Sequence, residues 1–206
     1  PAQHEPVRRA VAEAQRAAVD ATAQRMRHAG ALDRAGQLLV RLLEPQRRPR
    51  GTPEAGHACR HDPQVREAAI EPMRDLHRRT GQTVNLSVRQ GDEIVYIDRS
   101  YSERSGMQVV RAIGGRAPLH LTSSGKLFLA YEDPRVVRAY ATRTGLAGHT
   151  KNSITELARL ERELSMVRTR GYARDNEELE LGVRCIAAGI RDDSGRITAG
   201  LSVSAP

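Results

Sequence analysis

Asp175-Asn-Glu-Glu-Leu-Glu-Leu-Gly182-Val-Arg-Cys185-Ile-Ala-Ala-Gly-Ile-Arg191-Asp192 is the stretch on which the reading of this 206-residue chain turns. It comes after Gly171-Tyr172, opens rich in acids, passes through Gly182, and becomes an apolar run of Val183, Cys185, Ile186, Ala187, Ala188 and Ile190. Asp192-Asp193-Ser194-Gly195 then supplies a turn, and Ile197 to Val203 forms a second extended segment. Two such runs joined by Asp, Ser and Gly predict an antiparallel hairpin. The hairpin and its lead-in carry four polar side chains that can share one pocket: Asp175, Cys185, Ser202 and Ser204. Ser202 and Ser204 are two apart, so on a strand they point to the same face.

Composition narrows the surroundings of that hairpin. Hydrophobic residues make up 39% of the chain but aromatics only 3%, with no Trp, so the core must be aliphatic. No apolar run approaches the roughly 20 residues that a membrane-spanning helix needs, and Pro1 to Arg9 lack the apolar centre of a secretory signal. A cytoplasmic protein is expected. Cys59 and Cys185 are the only cysteines, too far apart in sequence to set up a disulfide framework or a four-ligand zinc site. The net charge of +8 is compatible with nucleic-acid contact. It is diffuse, however: 11 arginines face 7 acids before residue 65, and 22 basic residues face 18 acids after it. Such a spread is weak evidence for DNA binding, and a solvated surface is its usual explanation.

The chain divides at about residue 65. In the Arg-rich segment 1–64, residues 5–29 predict a helix with Val7, Val11, Ala14, Ala18 and Ala21 as a small-residue stripe. Ala31 to Leu43 predicts a second helix, ended by Glu44-Pro45. Three prolines then fall between Pro45 and Pro53, which leaves no room for a DNA-reading helix. His57, Cys59 and His61 alternate and would share one face of an extended segment; a loop with incidental His and Cys is the reading taken, and no metal or cofactor is expected.

Residues 65–206 alternate strand and helix signals. Val65 to Arg79 predicts a helix with Val65, Ala69, Met73 and Leu76 buried, Pro72 breaking or kinking it, and Thr80-Gly81 ending it. Thr83–Val88 and Glu93–Asp98 predict a hairpin, and Met107–Ile113 a third strand. Gly114 to Pro118 reads as a loop, and Lys126–Tyr131 as a helix capped by Thr122 or Ser123. The N–H groups of that helix start, beside the hydroxyls of Ser123 and Ser124, suit a carboxylate, although Ser-Ser-Gly taken alone reads as a cap. Pro134–Thr142 is another helix. Ser153-Ile-Thr-Glu156 has capping-box spacing ahead of a long helix to Arg170, with Ile154, Leu157, Leu160, Leu164 and Val167 buried and Gly171 closing it. The fold class expected is α+β, an antiparallel sheet flanked by helices, preceded by the α-helical N-terminal segment.

Several of these segments, in order and spacing, carry a resemblance. Thr80-Gly-Gln-Thr-Val-Asn-Leu, Val95-Tyr-Ile-Asp98, Gly114-Gly-Arg-Ala-Pro-Leu-His120 through Gly125-Lys126, Gly171-Tyr-Ala-Arg-Asp175, Gly182-Val-Arg-Cys185-Ile-Ala-Ala and Leu201-Ser-Val-Ser204 together resemble the C-terminal effector-binding domain of IclR-type transcriptional regulators. The resemblance covers roughly residues 65–206 and implies a GAF-like, profilin-like sheet. It implies a ligand sensor that binds a small carboxylate or aromatic acid through Ser123, Ser124, Asp175, Cys185, Ser202 and Ser204. It further implies a homodimer or tetramer whose geometry changes with the effector, and operator DNA as a partner if a functional helix-turn-helix is present. In the 1–64 segment Leu32-Asp-Arg-Ala35 is similar to the opening of the family's winged helix-turn-helix. The proline-rich residues from Pro45 to Pro53 depart from the family pattern, so that module is expected to be absent or degenerate. The chain also stops at Pro206, without the final helix of the family pattern. A stand-alone small-molecule-binding protein, or a regulator that no longer touches DNA, is the alternative. Catalysis by Cys185 with a histidine base is not expected: the thiol lies mid-strand among apolar residues, and no nucleophile motif surrounds it.

Overall fold

The computed structural model describes residues 63–101, 113–192 and 194–205. The expected helices over 5–29 and 31–43, the His57–His61 segment and residues 107–112 of the expected third strand lie outside the described residues; Ile113 itself stands exposed in a turn.

Six strands form one antiparallel sheet: β1 (Thr83–Gln90), β2 (Glu93–Ser100), β3 (Arg116–Pro118), β4 (Tyr172–Asn176), β5 (Arg184–Arg191) and β6 (Ile197–Ala205), in the order β3-β2-β1-β6-β5-β4. Helix α1 (Pro63–Thr80) covers one face, while α2 (Ser123–Ala130) and α4 (Leu157–Arg170) serve the other, with α3 (Pro134–Thr144) beside them. Period-2 alternation decides which side chains meet which helix. Val84 and Leu86 of β1, Ile186 and Ala188 of β5, and Leu201 and Val203 of β6 pack with Ala69, Met73 and Leu76 of α1. The intervening positions, Asn85, Cys185, Ser202 and Ser204 among them, face the side on which α2 lies. The hairpin read from Val183 to Val203 is therefore present, and its register sets Cys185 opposite Ser204.

Helix ends follow their glycines. Gly81, Gly145 and Gly171 close α1, α3 and α4 with positive φ, where a side chain would be strained. Of the two outcomes expected at Pro72, a break does not occur: α1 runs as a single helix through it, and the apolar stripe of Ala69, Met73 and Leu76 on the sheet outweighs the one hydrogen bond the ring removes. Three expectations need correction. Gly114–Pro118 is not all loop, because Arg116–Pro118 pairs with Glu93–Val95 as an edge strand, where Pro118 needs no N–H. The α2 helix starts earlier than Lys126, at Ser123, with the Thr122 hydroxyl accepting the Gly125 N–H at 3.0 Å. Finally, Ser153 does not cap α4, which begins at Leu157. The Ser153 hydroxyl instead accepts the N–H groups of His149 and Thr150 and donates to the Glu178 carbonyl at 2.6 Å, so tertiary contacts claim it first.

Candidate functional site

The α2 start is placed by an unusually close approach. A Cβ on Gly125 would lie 2.3 Å from the Leu119 carbonyl oxygen, and one on Gly200 would lie 2.9 Å from the Ser124 side chain. Only glycine at these two positions lets the Leu119–Leu121 turn fold back on the helix and lets the helix N-terminus settle on β6. The N–H groups of the first helical turn have no partner within the helix, so this end carries partial positive charge.

A cavity opens beneath that end, with about 450 Å³ of space including the part open to solvent. All six residues singled out from the sequence line it: Ser123 and Ser124 from α2, Asp175 from β4, Cys185 from β5, and Ser202 and Ser204 from β6. Seven more complete the lining. Thr122 adds a hydroxyl, Asn85 an amide, Ile94 and Tyr96 a wall from β2, and Leu179, Glu180 and Val183 a wall from the β4–β5 loop. Asn85 was legible in principle, since it shares the strand parity of Ser87 opposite β6, but parity alone does not say which face holds a cavity. Tyr96 is held in register by backbone hydrogen bonds to Gly114 and Gly115, so the paired glycines of the Gly114-Gly-Arg segment shape the β2 wall.

The polar groups are organised in two sets. On the floor, Asn85 Nδ2 donates to Ser204 Oγ at 3.2 Å, and Cys185 Sγ lies 3.2 Å from the same oxygen. At the helix end the Ser124 hydroxyl is buried and finds no protein partner. Such a group costs about 1–3 kcal/mol when left unsatisfied, and Ser124 is one of the residues that line the cavity. Asp175, 3% exposed, accepts the Glu178 N–H at 2.8 Å. Burial pushes its carboxyl up to about 7; the Lys126 ammonium and the Glu178 N–H act in the opposite direction, and the Glu178 carboxylate adds to the rise. Near neutral pH this acid is therefore available in both forms, as donor or acceptor.

His120, the histidine nearest in sequence to the helix end, is not in the cavity lining. It is buried, with Nδ1 2.6 Å from the Tyr140 hydroxyl and Nε2 3.1 Å from the Ala147 carbonyl. Desolvation lowers its pKa, and with both ring nitrogens engaged by these partners it is a satisfied core residue. Among the described residues no group of three His, Cys, Asp or Glu side chains could hold a metal ion, and no helix is long and apolar enough to cross a membrane.

A six-stranded antiparallel sheet, helices on both faces and a hydroxyl-lined cavity under one of them define an α+β domain of the GAF-like kind. Comparison with known proteins carries this further. Residues 57–206 match the family described as bacterial transcriptional regulator IclR, C-terminal. The chain belongs to the IclR family of bacterial transcriptional regulators. It is 39% identical over 142 residues to the HTH-type transcriptional regulator KdgR of Escherichia coli K12, covering 69% of this chain and 53% of that protein. Among solved structures, the Thermotoga maritima IclR superposes with a TM-score of 0.64 at 39% identity, over 68% of this chain and 56% of that one. The inducer-binding domain of the Acinetobacter transcription factor PobR, in a double mutant solved with 3-hydroxybenzoic acid, gives 0.63 at 30% identity, over 68% and 81%. These relatives are transcriptional regulators, not enzymes. The chain spans about half the length of the curated relatives it matches.

Proposed function

We propose that residues 65–206 sense a small organic acid, carboxylic or aromatic, and that the six residues Ser123, Ser124, Asp175, Cys185, Ser202 and Ser204 bind it. The observation that carries this reading is the unpartnered, buried Ser124 hydroxyl at the N-terminus of α2, directly over the cavity. A carboxylate there would accept from the Ser124 hydroxyl and from the first N–H groups of the helix. Asp175 meets the ligand from β4; in its protonated form it donates to a ligand oxygen and adds no charge to repel an anion. That the PobR domain was solved with a hydroxybenzoic acid supports the ligand class. In a regulator of this family, occupancy would shift the geometry of a dimer or tetramer and with it the affinity for operator DNA, provided the ligand binds the two geometries unequally. A cytoplasmic location accords with that role.

The test is a thermal-shift screen of the chain against small carboxylic and aromatic acids, 3-hydroxybenzoate included. A ligand at about 100 times its dissociation constant adds about 2.7 kcal/mol of stability. A shift lost in Ser124→Ala supports the assignment, and absence of any shift across the acids counts against it. For the DNA half, binding through the basic N-terminal segment predicts a steep fall of affinity with salt; no salt-sensitive binding would remove that role.

A further inference from the structure

The cavity's wall between β4 and β5, residues 177–183, has no strand neighbour of its own, and three of its side chains, Leu179, Glu180 and Val183, line the cavity. Apolar packing alone does not hold it down. Lys126 of α2 is completely buried, and its Nζ lies 2.6 Å from Oε1 of Glu178, itself 7% exposed. Neither residue lines the cavity. Lys126 sits two positions after Ser124, on the same short helix whose N-terminus faces the ligand site. Around this pair the wall is tied by its own backbone. The Glu178 N–H goes to Asp175, the Glu178 carbonyl accepts from Ser153, the Glu177 carbonyl accepts from Thr150 at 2.7 Å, and the Glu177 N–H reaches the Val183 carbonyl at 3.1 Å.

A lysine and a glutamate taken fully out of water cost far more to desolvate than an exposed pair, and an apolar pair of the same volume is often as stable or more so. Stability therefore does not account for the placement. We infer that Lys126 and Glu178 are positioning residues, a buried latch that holds the 177–183 wall and the Asp175 carboxyl against the helix that carries the ligand's carboxylate site. The inference rests on the cavity being a ligand site and deepens it: one short helix both contacts the ligand and clamps the wall that closes over it. The titratable groups that feel this pair are Asp175 from β4, on whose carboxyl Lys126 and Glu178 both act, and His120 from the Leu119–Leu121 turn, on which Lys126 acts. The second Glu178 oxygen, Oε2, is buried without a partner, so the latch is fastened through one oxygen and is released by losing a single contact.

The test needs no ligand and so fails independently of the ligand assignment. In the full chain carrying Cys59→Ser, Cys185 is the sole thiol and lies inside the cavity. The double variant Lys126→Met/Glu178→Met removes both charges while keeping the volume. Two quantities are read: labelling of Cys185 by a bulky disulfide reagent relative to small iodoacetamide, and amide exchange of Glu177, Glu178 and Val183 relative to Ile186 and Val203 in the sheet. The latch predicts that bulky-reagent labelling gains on iodoacetamide by about tenfold, and that the wall amides exchange about tenfold faster while the sheet amides hold. General loosening would raise both reagents and all amides together, and that result overturns the proposal, as does no change at all. Should the double variant not fold, Lys126→Met decides. It removes the ammonium that holds Oε1 and leaves a Glu178 carboxyl that can take up a proton, and wall amides that exchange at the wild-type rate relative to the sheet overturn the latch.

Discussion

Cys185 Sγ and Ser204 Oγ lie 3.2 Å apart across the β5–β6 pair, at the centre of the cavity floor. Ser204 also accepts from Asn85 on β1, so three strands meet at one hydroxyl. The proton count is informative. The thiol and the hydroxyl hold one proton each, and their mutual hydrogen bond uses one of them. When the thiol donates, the Ser204 hydroxyl keeps a proton of its own, which the proposed carboxylate would accept.

Ser204→Ala removes that junction and leaves the Asn85 amide donor buried without its acceptor. The expected stability loss is about 1–3 kcal/mol. Affinity for any acid identified in the screen should fall by about tenfold, as expected when one hydrogen bond of about 1.4 kcal/mol is lost. Chemical denaturation and calorimetric titration of the same variant separate the two effects; unchanged affinity would remove Ser204 from the site.

Asp175→Asn tests the raised carboxyl. The unfolded chain ionises near the ordinary value of 3.8 and the folded one at about 7, so between those values the folded state binds more protons. The contribution of Asp175 to stability is thus fullest below the lower value and is lost as pH rises through the upper one. The asparagine keeps the oxygen that accepts the Glu178 N–H but cannot ionise. Its stability relative to wild type should therefore climb with pH, by at most about 1.4 kcal/mol per unit, and level off above about pH 7. Unfolding curves collected across that range would show a flat difference if the carboxyl were ordinary.

The same acid bears on binding. An anionic ligand meets a neutral Asp175 at low pH and a charged one at high pH, so wild-type affinity for a carboxylate should weaken as pH rises through about 7. Titrations on either side of that value check this, and in Asp175→Asn the dependence should vanish.

Gly200→Ala sets a methyl group 2.9 Å from the Ser124 Cβ and Oγ. Neither β6 nor the helix end can give way easily, so a cost of about 1–3 kcal/mol is expected from overpacking. The Ser124 hydroxyl should also move off its position, lowering ligand affinity more than a substitution of equal cost elsewhere. Tyr140→Phe supplies that comparison. It strips His120 of its 2.6 Å partner, with an expected cost of about 1–3 kcal/mol, yet it lies outside the cavity lining and should leave affinity alone. Melting temperatures and dissociation constants of the two variants, measured side by side, decide whether Ser124 placement matters.

Much of this molecule is determined by local rules that act within a few residues. Alternation in Leu201-Ser-Val-Ser204 sends serines to one face and aliphatics to the other whatever the strand's neighbours are, and the structure shows that division. Gly145 and Gly171 end their helices because the left-handed turn they adopt disfavours a side chain. Buried Leu160, Leu164 and Val167 obey helical spacing. By the same means the sequence alone marked Ser123, Ser124, Asp175, Cys185, Ser202 and Ser204, with family resemblance joining segments that spacing could not. Tertiary structure alone decided the rest. Ser153 has capping-box spacing yet bonds to Glu178, because a side chain with two possible partners takes the one the packed wall presents. No residue beside Lys126 in the sequence marks it for burial, and only the wall folded over it gives its charge a partner 52 residues away. Asp175 acquires its raised pKa in the same manner, since burial is a property of the assembled fold and has no signature in the residues beside it.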